Sequence, residues 1–581
     1  MTRADENGEQ PPDKAAPSRR RFLRSAGIAT AGAVVGGAVG AGAVGLATQR
    51  APETAGRFPA LPSRGRPGFD HLVVVMYENR SFDNLLGYLY DSASLPAGQR
   101  FDGLNFGDYA NPDPMGTLIP AHPYVGSTDE IMSQPFPDPG EVFPHVNTQL
   151  FDRIDPPGNA GIRVHEMKPP FNTPPAGTRP TMRGFVRDYI EAIKLEKGIA
   201  QPTPADYRRI MGNFTPPMLP VLSALARSFA VYDHWHCAVP SQTFCNRSFF
   251  HASTSHGFVA NRGQAGYLKW FDPANASATI FNRLDVAGIP WRVYYDDRQL
   301  ISLTGFIHAP ALEQFWKTNF RPMADFYRDA ERGDLPAYSF IEPRMLYDHN
   351  DMHPPGGAVQ ETEFDGAVIT GGGVSDVRAG EALLHAIYSA IRSSANPSGS
   401  NALNTMLLVT FDEHGGTYDH VVPGAAIPPG DGAPGEMGFG FDRLGLRVPA
   451  IAISAYTARG TVINEPMHHS SVISTLTSKY RLEPLTDRDR DAPTLDNAIN
   501  LRHPRQPETW PDTYPQYVPP NPESDDPVPG GADDRPLSPP GVGLVGMLVA
   551  RYGAPGDRVP RTYREAFEVV NRRGAGLFGG G

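Results

Sequence analysis

Cysteine is scarce in this sequence, because its 581 residues include only Cys237 and Cys245. The fold therefore cannot depend on a disulfide framework. A single bridge between the two residues and a pair of buried free thiols are both compatible with the sequence. Long apolar segments are also missing after residue 50, where no run of roughly 18 uncharged apolar residues occurs. A chain of this length can instead bury a large core in one main domain.

Basic side chains are outnumbered, with 52 Lys and Arg against 63 Asp and Glu and a formal net charge of -11. So acidic a chain argues against a nucleic-acid substrate, because binding a phosphate backbone needs clustered Lys and Arg. Local carboxylates could instead hold a cation. Gly and Pro are abundant, at 60 each. They predict many ordered loops, which often carry binding and catalysis.

The N-terminus has its own pattern. Ser-Arg-Arg-Arg-Phe-Leu-Arg at 18–24 precedes an uncharged Gly/Ala/Val segment at 26–47. Paired arginines before a weakly apolar segment resemble a twin-arginine export signal. The alternative is a transmembrane anchor, for which the many glycines are unfavourable. We therefore predict a signal and linker at 1–50, the twin-arginine export machinery as a partner, and a secreted or cell-envelope protein with at most peripheral membrane contact.

Short β-branched and apolar runs alternate with helical patterns, which predicts an α/β fold with a central, mostly parallel sheet and helices on both faces. The predicted strands are 71–76, 291–295, 405–411 and 448–453, and the predicted helices are 220–229, 379–393 and 470–480. From 502 to about 540 the chain is rich in Pro, Asp and Gly, and helical patterns follow at 542–552 and 562–573. We expect a catalytic domain at 51–501 and a C-terminal segment at 502–581 that packs on it.

Acidic side chains follow two of the predicted strands directly. Glu78-Asn79 comes after the first strand and Asp412-Glu413 after the third. Ligands of open α/β sheets bind outside the carboxyl ends of the strands, and hard cations prefer carboxylate and amide oxygens. The pattern therefore predicts a cation site. The alternatives are a helix cap by Ser81 or Asp83 near the first pair and a solvated acidic loop at the second.

A hydroxyl-rich segment at 238–248 supplies candidate nucleophiles. A hydroxyl is a weak nucleophile until a base or a metal lowers its pKa. Ser241, Thr243 and Ser248 are the local candidates, and each could equally be a loop hydrogen-bonding residue.

These segments together resemble the bacterial phosphoesterase family of phospholipases C and acid phosphatases. The motifs Glu-Asn-Arg-Ser-Phe-Asp at 78–83, Thr-x-x-Asn-Arg at 243–247 and Asp-Glu-x-Gly-Gly-x-x-Asp-His at 412–420 occur in the family's order. The likeness continues through 339–344, 350–355, 447–449 and 469–471, and it spans about 68–500.

The resemblance implies an alkaline-phosphatase-like core and a set of site residues. Glu78, Asn79, Asp412 and Glu413, with Thr243, would hold one divalent cation, for which Ca, Mg, Mn, Zn and Fe all remain open. Thr243 would attack phosphorus and form a phosphothreonine. His353, His420 and His469 would protonate the leaving oxygen or bind phosphate, with His353 favoured, and Asn246 and Arg247 would bind substrate.

The sequence departs from the family pattern at two points. The family often shows Asp-Pro-Gly-His, whereas 138–141 reads Asp-Pro-Gly-Glu, with His145 one helical turn later. Either His145 serves the same pocket or the substrate differs. The usual Pro before Asn-Arg is Cys245, so the segment around Thr243 departs from the family pattern at that position.

The expected function is an exported, metal-dependent phosphoesterase that hydrolyses phosphate esters, in particular like a phospholipase C. The alternatives are an acid phosphatase for phosphomonoesters and a non-catalytic binding protein of the cell envelope. A sulfatase would need a Cys-x-Pro-x-Arg context, which the segment around Cys245 lacks.

Overall fold

In a computed structural model, the structure describes residues 58, 61–62, 64–263, 265–296, 299–346, 349–355, 362–364, 367–369, 375–518 and 537–579. They belong to a unit that spans Ala55–Gly581. The predicted export signal at 1–50 lies outside the described residues. Among the helices that are described, none has the length and apolarity needed to span a membrane.

The strands are short, and most of them contribute to one sheet. Their bounds are β1 His71–Tyr77, β2 Ala110–Pro112, β3 Leu118–Pro120, β4 His122–Pro123, β5 Gly212–Asn213, β6 Ala230–Tyr232, β7 Trp235–His236, β8 Trp291–Tyr295, β9 Phe320–Pro322, β10 Tyr338–Glu342, β11 Thr362–Phe364, β12 Ala367–Ile369, β13 Thr405–Phe411, β14 Ala450–Ile453, β15 Thr461–Ile463 and β16 Met467–His468.

Helices connect and cover these strands. Their bounds are α1 Phe82–Leu86, α2 Thr128–Ile131, α3 Phe143–Phe151, α4 Phe185–Lys197, α5 Pro204–Tyr207, α6 Pro220–Ser228, α7 Thr243–Ala252, α8 Ile280–Val286, α9 Leu303–Ile307, α10 Ala309–Leu312, α11 Met323–Arg332, α12 Val377–Ser393, α13 Ser470–Tyr480, α14 Asp487–Arg490, α15 Pro539–Tyr552 and α16 Tyr563–Arg573.

The central sheet has eight strands in the order β15-β6-β14-β13-β1-β10-β8-β9. Strand β1 lies in its middle and pairs in parallel with β13 on one side and β10 on the other. Strand β14 is the exception, because it runs antiparallel to both β13 and β6. The predicted α/β class with a mostly parallel sheet is therefore confirmed. Strand β10 was missed, although four of its five residues belong to 339–344, a segment that resembles the family.

The apolar runs of β1 and β13 explain their central place. Every residue of β1 after His71 is buried, and so is every residue of β13. Such uninterrupted burial is typical of parallel strands that are covered on both faces. Helix α12 shows the complementary pattern, with Leu384, Ile387 and Ile391 buried along one stripe.

The described C-terminal residues pack against the other elements of this unit. Trp510 stacks on Tyr388 of α12, with ring centroids 6.2 Å apart. Ser538 shares a hydrogen bond of 2.9 Å with His349. The Gly543 backbone of α15 lies against the ring of Phe244. The C-terminal segment therefore supports the helix that carries Thr243, while the domain boundaries at 50 and 501 stay predictions.

The two cysteines do not form a bridge. Both Cys237 and Cys245 are free thiols in the core. Burial raises the pKa of each thiol well above its ordinary value. Of the two alternatives that the sequence left open, the structure shows buried free thiols.

A tight turn after β13 depends on glycine. Gly415 has φ +59°, and a Cβ atom there would lie 2.2 Å from the carbonyl oxygen of Asn79. The backbone that follows β13 thus crosses directly over the backbone that follows β1. Only a residue without a side chain permits this approach.

We predict that Gly415→Ala lowers the free energy of unfolding by about 3 kcal/mol or more, because it adds a backbone clash to an unfavourable φ. Gly432→Ala is the matched control, since Gly432 has φ +73° and, apart from its chain neighbours, no described residue has an atom within 4 Å of the added Cβ. The control should lose only about 1–2 kcal/mol. Urea denaturation measures both, and equal losses would contradict the close approach.

Candidate active site

The register of the sheet brings two acidic segments together. Tyr77 at the end of β1 pairs with Phe411 at the end of β13. Glu78 and Asp412 therefore leave neighbouring strands at the same level. The backbone N–H of Asn79 donates to Asp412 Oδ1 over 3.0 Å, which ties the two segments together. The carboxylates that the sequence placed at one edge of the sheet do meet there.

One arginine faces this pair of carboxylates. Arg247, on α7, donates through Nη2 to Glu78 Oε1, and its Nε lies 3.4 Å from Asp412 Oδ2. All three side chains are fully buried. Burial raises the pKa of Glu78 well above its usual value, although Arg247 opposes the rise. The guanidinium thus serves as a counter-charge within the site, and the predicted contact of Arg247 with substrate stays a prediction.

Thr243 is the first residue of α7 and points at the same carboxylate. Its hydroxyl donates to Glu78 Oε2 over 3.3 Å, and its Oγ1 lies 3.5 Å from Asn79 Oδ1. The start of a ten-residue helix carries partial positive charge, which stabilises negative charge that develops on a nearby oxygen. Thr243 is one of the three predicted hydroxyl candidates, and its hydrogen bonds connect it to Glu78 and Asn79. Ser241 and Ser248 donate to backbone carbonyls instead.

Asn246 lies one turn further along α7 and holds the loop before it. Its side-chain oxygen accepts from the Val239 N–H over 3.0 Å, and its nitrogen donates to the Ser241 carbonyl over 2.7 Å. These contacts fix the backbone that leads into Thr243. The predicted role of Asn246 in substrate binding also stays a prediction.

Glu413 and Asp412 keep oxygens without a hydrogen bond. Glu413 Oε2 accepts from the Gly415 N–H over 2.6 Å, while Glu413 Oε1 and Asp412 Oδ2 are buried and accept no hydrogen bond from the described residues. Burial, then the nearby Glu141 and Asp412, raise the pKa of Glu413 well above its ordinary value. Buried carboxylate oxygens are expected to be paired or to coordinate a metal. Each of these two oxygens is therefore a candidate ligand for a cation.

A second group of donors adjoins the first. Asp138, Glu141 and His353 have ligand atoms that all lie within 4.8 Å of one another, an arrangement able to hold a metal ion. Glu141 touches the predicted site directly, because it accepts from Asn79 Nδ2. The sequence showed Glu141 only as a departure from the Asp-Pro-Gly-His pattern. The departure drew attention to Glu141, but it did not predict the contact between Glu141 and Asn79.

His353 lies inside the site and is held as a neutral ring. Its Nδ1 donates to the Pro354 carbonyl over 2.5 Å, and its Nε2 accepts from Asn79 Nδ2 over 2.9 Å. Burial lowers the pKa of His353 to about 4. The structure thus joins His353 to the predicted cation ligands through Asn79.

His469 and His145 also border the site. His469 Nε2 donates to the Asp412 carbonyl over 2.6 Å, and Trp235 donates to His469 Nδ1 over 3.3 Å. His145 is buried, and its Nδ1 donates to Asp188 over 2.8 Å. His469 therefore binds a backbone carbonyl and His145 a neighbouring carboxylate. The catalytic roles of both residues stay predictions.

His420 belongs to a separate cluster of charges. Its Nδ1 donates to Asp83 over 2.6 Å and its Nε2 to Asp102 over 2.9 Å. Arg447 donates to Asp83 and to Asp419, each over 2.9 Å. These bonds account for both ring nitrogens and link the loop after β13 to α1. The suggested helix cap near Glu78 is also present, since Ser81 caps α1 by accepting from the Asn84 N–H.

Comparisons with known proteins cover the part of the chain that carries the candidate site. The sequence model of the Phosphoesterase family matches residues 69–483. Non-specific phospholipase C1 of Arabidopsis thaliana is 32% identical over 463 residues, which cover 75% of this chain and 72% of that protein. Phospholipase C A of Mycobacterium tuberculosis is 25% identical over 449 residues, with 71% and 72% covered.

A solved structure titled as a protein in the alkaline phosphatase superfamily from Vibrio parahaemolyticus is 14% identical and covers 49% of this chain and 66% of its own, with a TM-score of 0.29. That structural similarity is too low to support a conclusion.

We predict that the charge on His420 stabilises the fold in a pH-dependent way. Burial alone would lower its pKa, but Asp83 and Asp102 outweigh burial and raise the pKa to about 9. A raised pKa means that the stabilisation is complete below the unfolded value of about 6.5 and is lost as the pH rises through about 9.

The loss of stability in His420→Gln, relative to the wild type, should therefore shrink by about 1–3 kcal/mol between pH 6 and pH 10, after allowance for solvent around Asp102. Urea denaturation at the two pH values measures it. His385→Gln is the control, because burial lowers the pKa of His385. A loss in His420→Gln that did not change with pH would contradict the paired imidazolium.

Proposed function

Because this chain belongs to the Phosphoesterase family and is a phosphoric ester hydrolase, we propose that it is an exported, metal-dependent enzyme of the phospholipase C type that acts through a phosphothreonine at Thr243. The observation that carries the proposal is the position of the Thr243 hydroxyl, 3.3 Å from Glu78 Oε2 at the start of α7. The proposed nucleophile therefore adjoins a proposed cation ligand at a helix N-terminus.

The donor set fits a divalent cation. Glu78, Asp412 and Glu413 offer carboxylate oxygens and Asn79 an amide oxygen, the ligand types that hard cations prefer. The buried oxygens of Asp412 and Glu413 that accept no hydrogen bond from the described residues support the same assignment. When bound, such an ion lowers the pKa of a coordinated hydroxyl and offsets negative charge on the transferring phosphoryl group.

The residues of the chain would then perform two successive displacements. Thr243 Oγ1 gives up its proton as it attacks phosphorus in line, the bond from phosphorus to the leaving alcohol oxygen breaks, and that oxygen takes up a proton. Water then attacks the phosphothreonine, which releases the phosphate or phosphomonoester and restores the Thr243 hydroxyl. The start of α7 favours the negative charge that develops at Oγ1. Arg247 holds Glu78 and Asp412 in place during both steps.

His353 is the proposed contact for phosphate or for the leaving oxygen. Its ring is neutral in this state, since burial lowers its pKa to about 4. The negative charge of a bound phosphate ester would raise that pKa. His353 could then accept a proton as substrate binds and deliver it as the bond to the leaving group breaks.

The substrate is proposed as a phospholipid with a phosphodiester head group, on the strength of the relatives named as phospholipases C. Hydrolysis of phosphomonoesters, the acid-phosphatase alternative, is an outcome of the same assay. Export is proposed from the arginine-rich segment at 18–24, with transient contact to the twin-arginine machinery and to a membrane surface.

We expect Thr243→Ala to lower turnover of phosphatidylcholine and of 4-nitrophenyl phosphate esters by at least about 10³-fold, because alanine lacks the oxygen that attacks phosphorus. Ser248→Ala is the matched control and should keep normal turnover, since Ser248 donates only to the Thr254 carbonyl among the described residues. Circular dichroism checks that both variants fold. Normal turnover in Thr243→Ala would remove the nucleophile from the proposal.

Removal of the cation should abolish turnover and leave the fold intact. The mature chain is dialysed against chelator, its metal content is measured, and Ca²⁺, Mg²⁺, Mn²⁺, Zn²⁺ or Fe²⁺ is returned one at a time. We expect activity to return with at least one ion. The buried carboxylates repel one another without a cation, and this repulsion favours binding of the added ion. Full activity in protein shown to be free of metal would contradict the proposal.

A further inference from the structure

Glu141 occupies a position between the proposed cation ligands and the nucleophile. Its Oε2 accepts from Asn79 Nδ2, and its Oε1 accepts from Gln242 Nε2 over 3.1 Å. Asn79 is a proposed ligand, and Gln242 directly precedes Thr243. One buried carboxylate therefore connects the loop after β1 with the N-terminus of α7.

The first contact decides which way the Asn79 amide faces. Its nitrogen donates to Glu141 and also to His353 Nε2 over 2.9 Å. With both acceptors on the nitrogen side, the amide oxygen is left facing Thr243, 3.5 Å from Oγ1. A flipped amide would direct N–H groups at the cation position and lose both hydrogen bonds. The orientation that suits a cation is thus imposed from the far side of the amide.

The second contact steadies the turn that carries the nucleophile. Gln242 donates to Glu141 and, through Oε1, accepts from the Asn261 N–H over 2.8 Å. The Asn261 side chain in turn accepts from the Phe244 N–H over 2.9 Å. The residues on both sides of Thr243 are therefore fixed by one chain of hydrogen bonds.

The chemistry of this position favours a carboxylate. An ionised carboxylate only accepts hydrogen bonds, and it does so through two oxygens, so it can serve two N–H donors at once. An amide of the same size offers one oxygen and one NH₂ group. A neutral imidazole offers a single acceptor nitrogen. Replacing Glu141 by either would leave one of its two donors without a partner.

We propose that Glu141 is a positioning residue that orients the Asn79 amide oxygen toward the cation and holds Gln242 beside the nucleophile. The inference rests on the proposed function, since it needs a cation at Asn79 and a nucleophile at Thr243. This role would explain why a glutamate occupies a position at which the family often has histidine. Glu141 acts through its neighbours and is not required to touch substrate.

The test separates the two contacts. Mn²⁺ is the probe, and its dissociation constant is measured by calorimetry on the mature full chain, together with the dependence of turnover on Mn²⁺ concentration. Glu141→Gln should weaken Mn²⁺ binding about 10–100-fold, the usual effect of removing an outer partner of a metal ligand. Saturating Mn²⁺ should restore most of its turnover. A purely structural defect would not respond to added metal.

Gln242→Ala tests the other contact. It removes the link to Thr243 and leaves Asn79 paired with Glu141, so we expect turnover to fall while Mn²⁺ affinity stays at the wild-type value. Glu381→Gln is the matched control, because Glu381 is a buried glutamate that likewise accepts from two N–H groups, those of Val221 and Leu222. Its stability should fall without a change in Mn²⁺ affinity.

Three outcomes would overturn the inference. Wild-type Mn²⁺ affinity in a folded Glu141→Gln variant, with Thr243→Ala still inactive, would reject the role of Glu141 and leave the proposed function intact. A wild-type chain that binds no metal and needs none would reject both. If Glu141→Gln fails to fold, Glu141→His gives the same readout, and wild-type affinity in it would also reject the role.

Discussion

The structure depends on the concentration of buried carboxylates at the ends of two neighbouring parallel strands. Glu78 and Asp412 are forced side by side by the register of β1 and β13, and Glu413 follows without leaving the core. Arg247 supplies one positive charge against them. Buried like charges are costly unless they are compensated, and one guanidinium does not balance three carboxyl groups. The fold therefore keeps a position that a divalent cation would stabilise.

The same constraint explains why catalysis is proposed at Thr243. Helix α7 delivers Arg247 and Thr243 from the same face, one turn apart, so the residue that neutralises Glu78 and the residue that would attack phosphorus are placed together. Gly415 lets the loop after β13 cross over Asn79. Glu141 then links Asn79 to the start of α7. The site is assembled by contacts between segments that are far apart in sequence.

Much of this arrangement could be predicted from the sequence, because strand-end positions are local properties. The apolar runs at 71–76 and 405–411 marked the two central strands, and the acidic pairs that follow them marked the edge at which they meet. Strand β10 was missed because four of its five residues lie within a motif, 339–344, that was treated only as a family feature. The antiparallel direction of β14 was not predicted, since strand direction depends on pairing rather than on local pattern.

The histidines show where sequence patterns are least informative. His420 is the last residue of the motif at 412–420, yet its ring turns to Asp83 and Asp102. His353 was favoured for its polar loop, and it does reach Asn79. Glu141 was noticed only as a missing histidine, because no local signal reports that residues 79 and 141 touch. Side-chain direction in long loops is set by tertiary contacts, and local patterns in a single sequence do not identify those contacts.

The most direct measurement is a crystal structure of the mature chain grown with Mn²⁺, with data collected at the manganese absorption edge. We expect an anomalous peak about 2.0–2.6 Å from oxygens of Glu78, Asn79, Asp412 and Glu413, with Thr243 Oγ1 within reach of the ion. Carboxylates that pair only with Arg247, no peak among them, and a Thr243 hydroxyl turned away would contradict it.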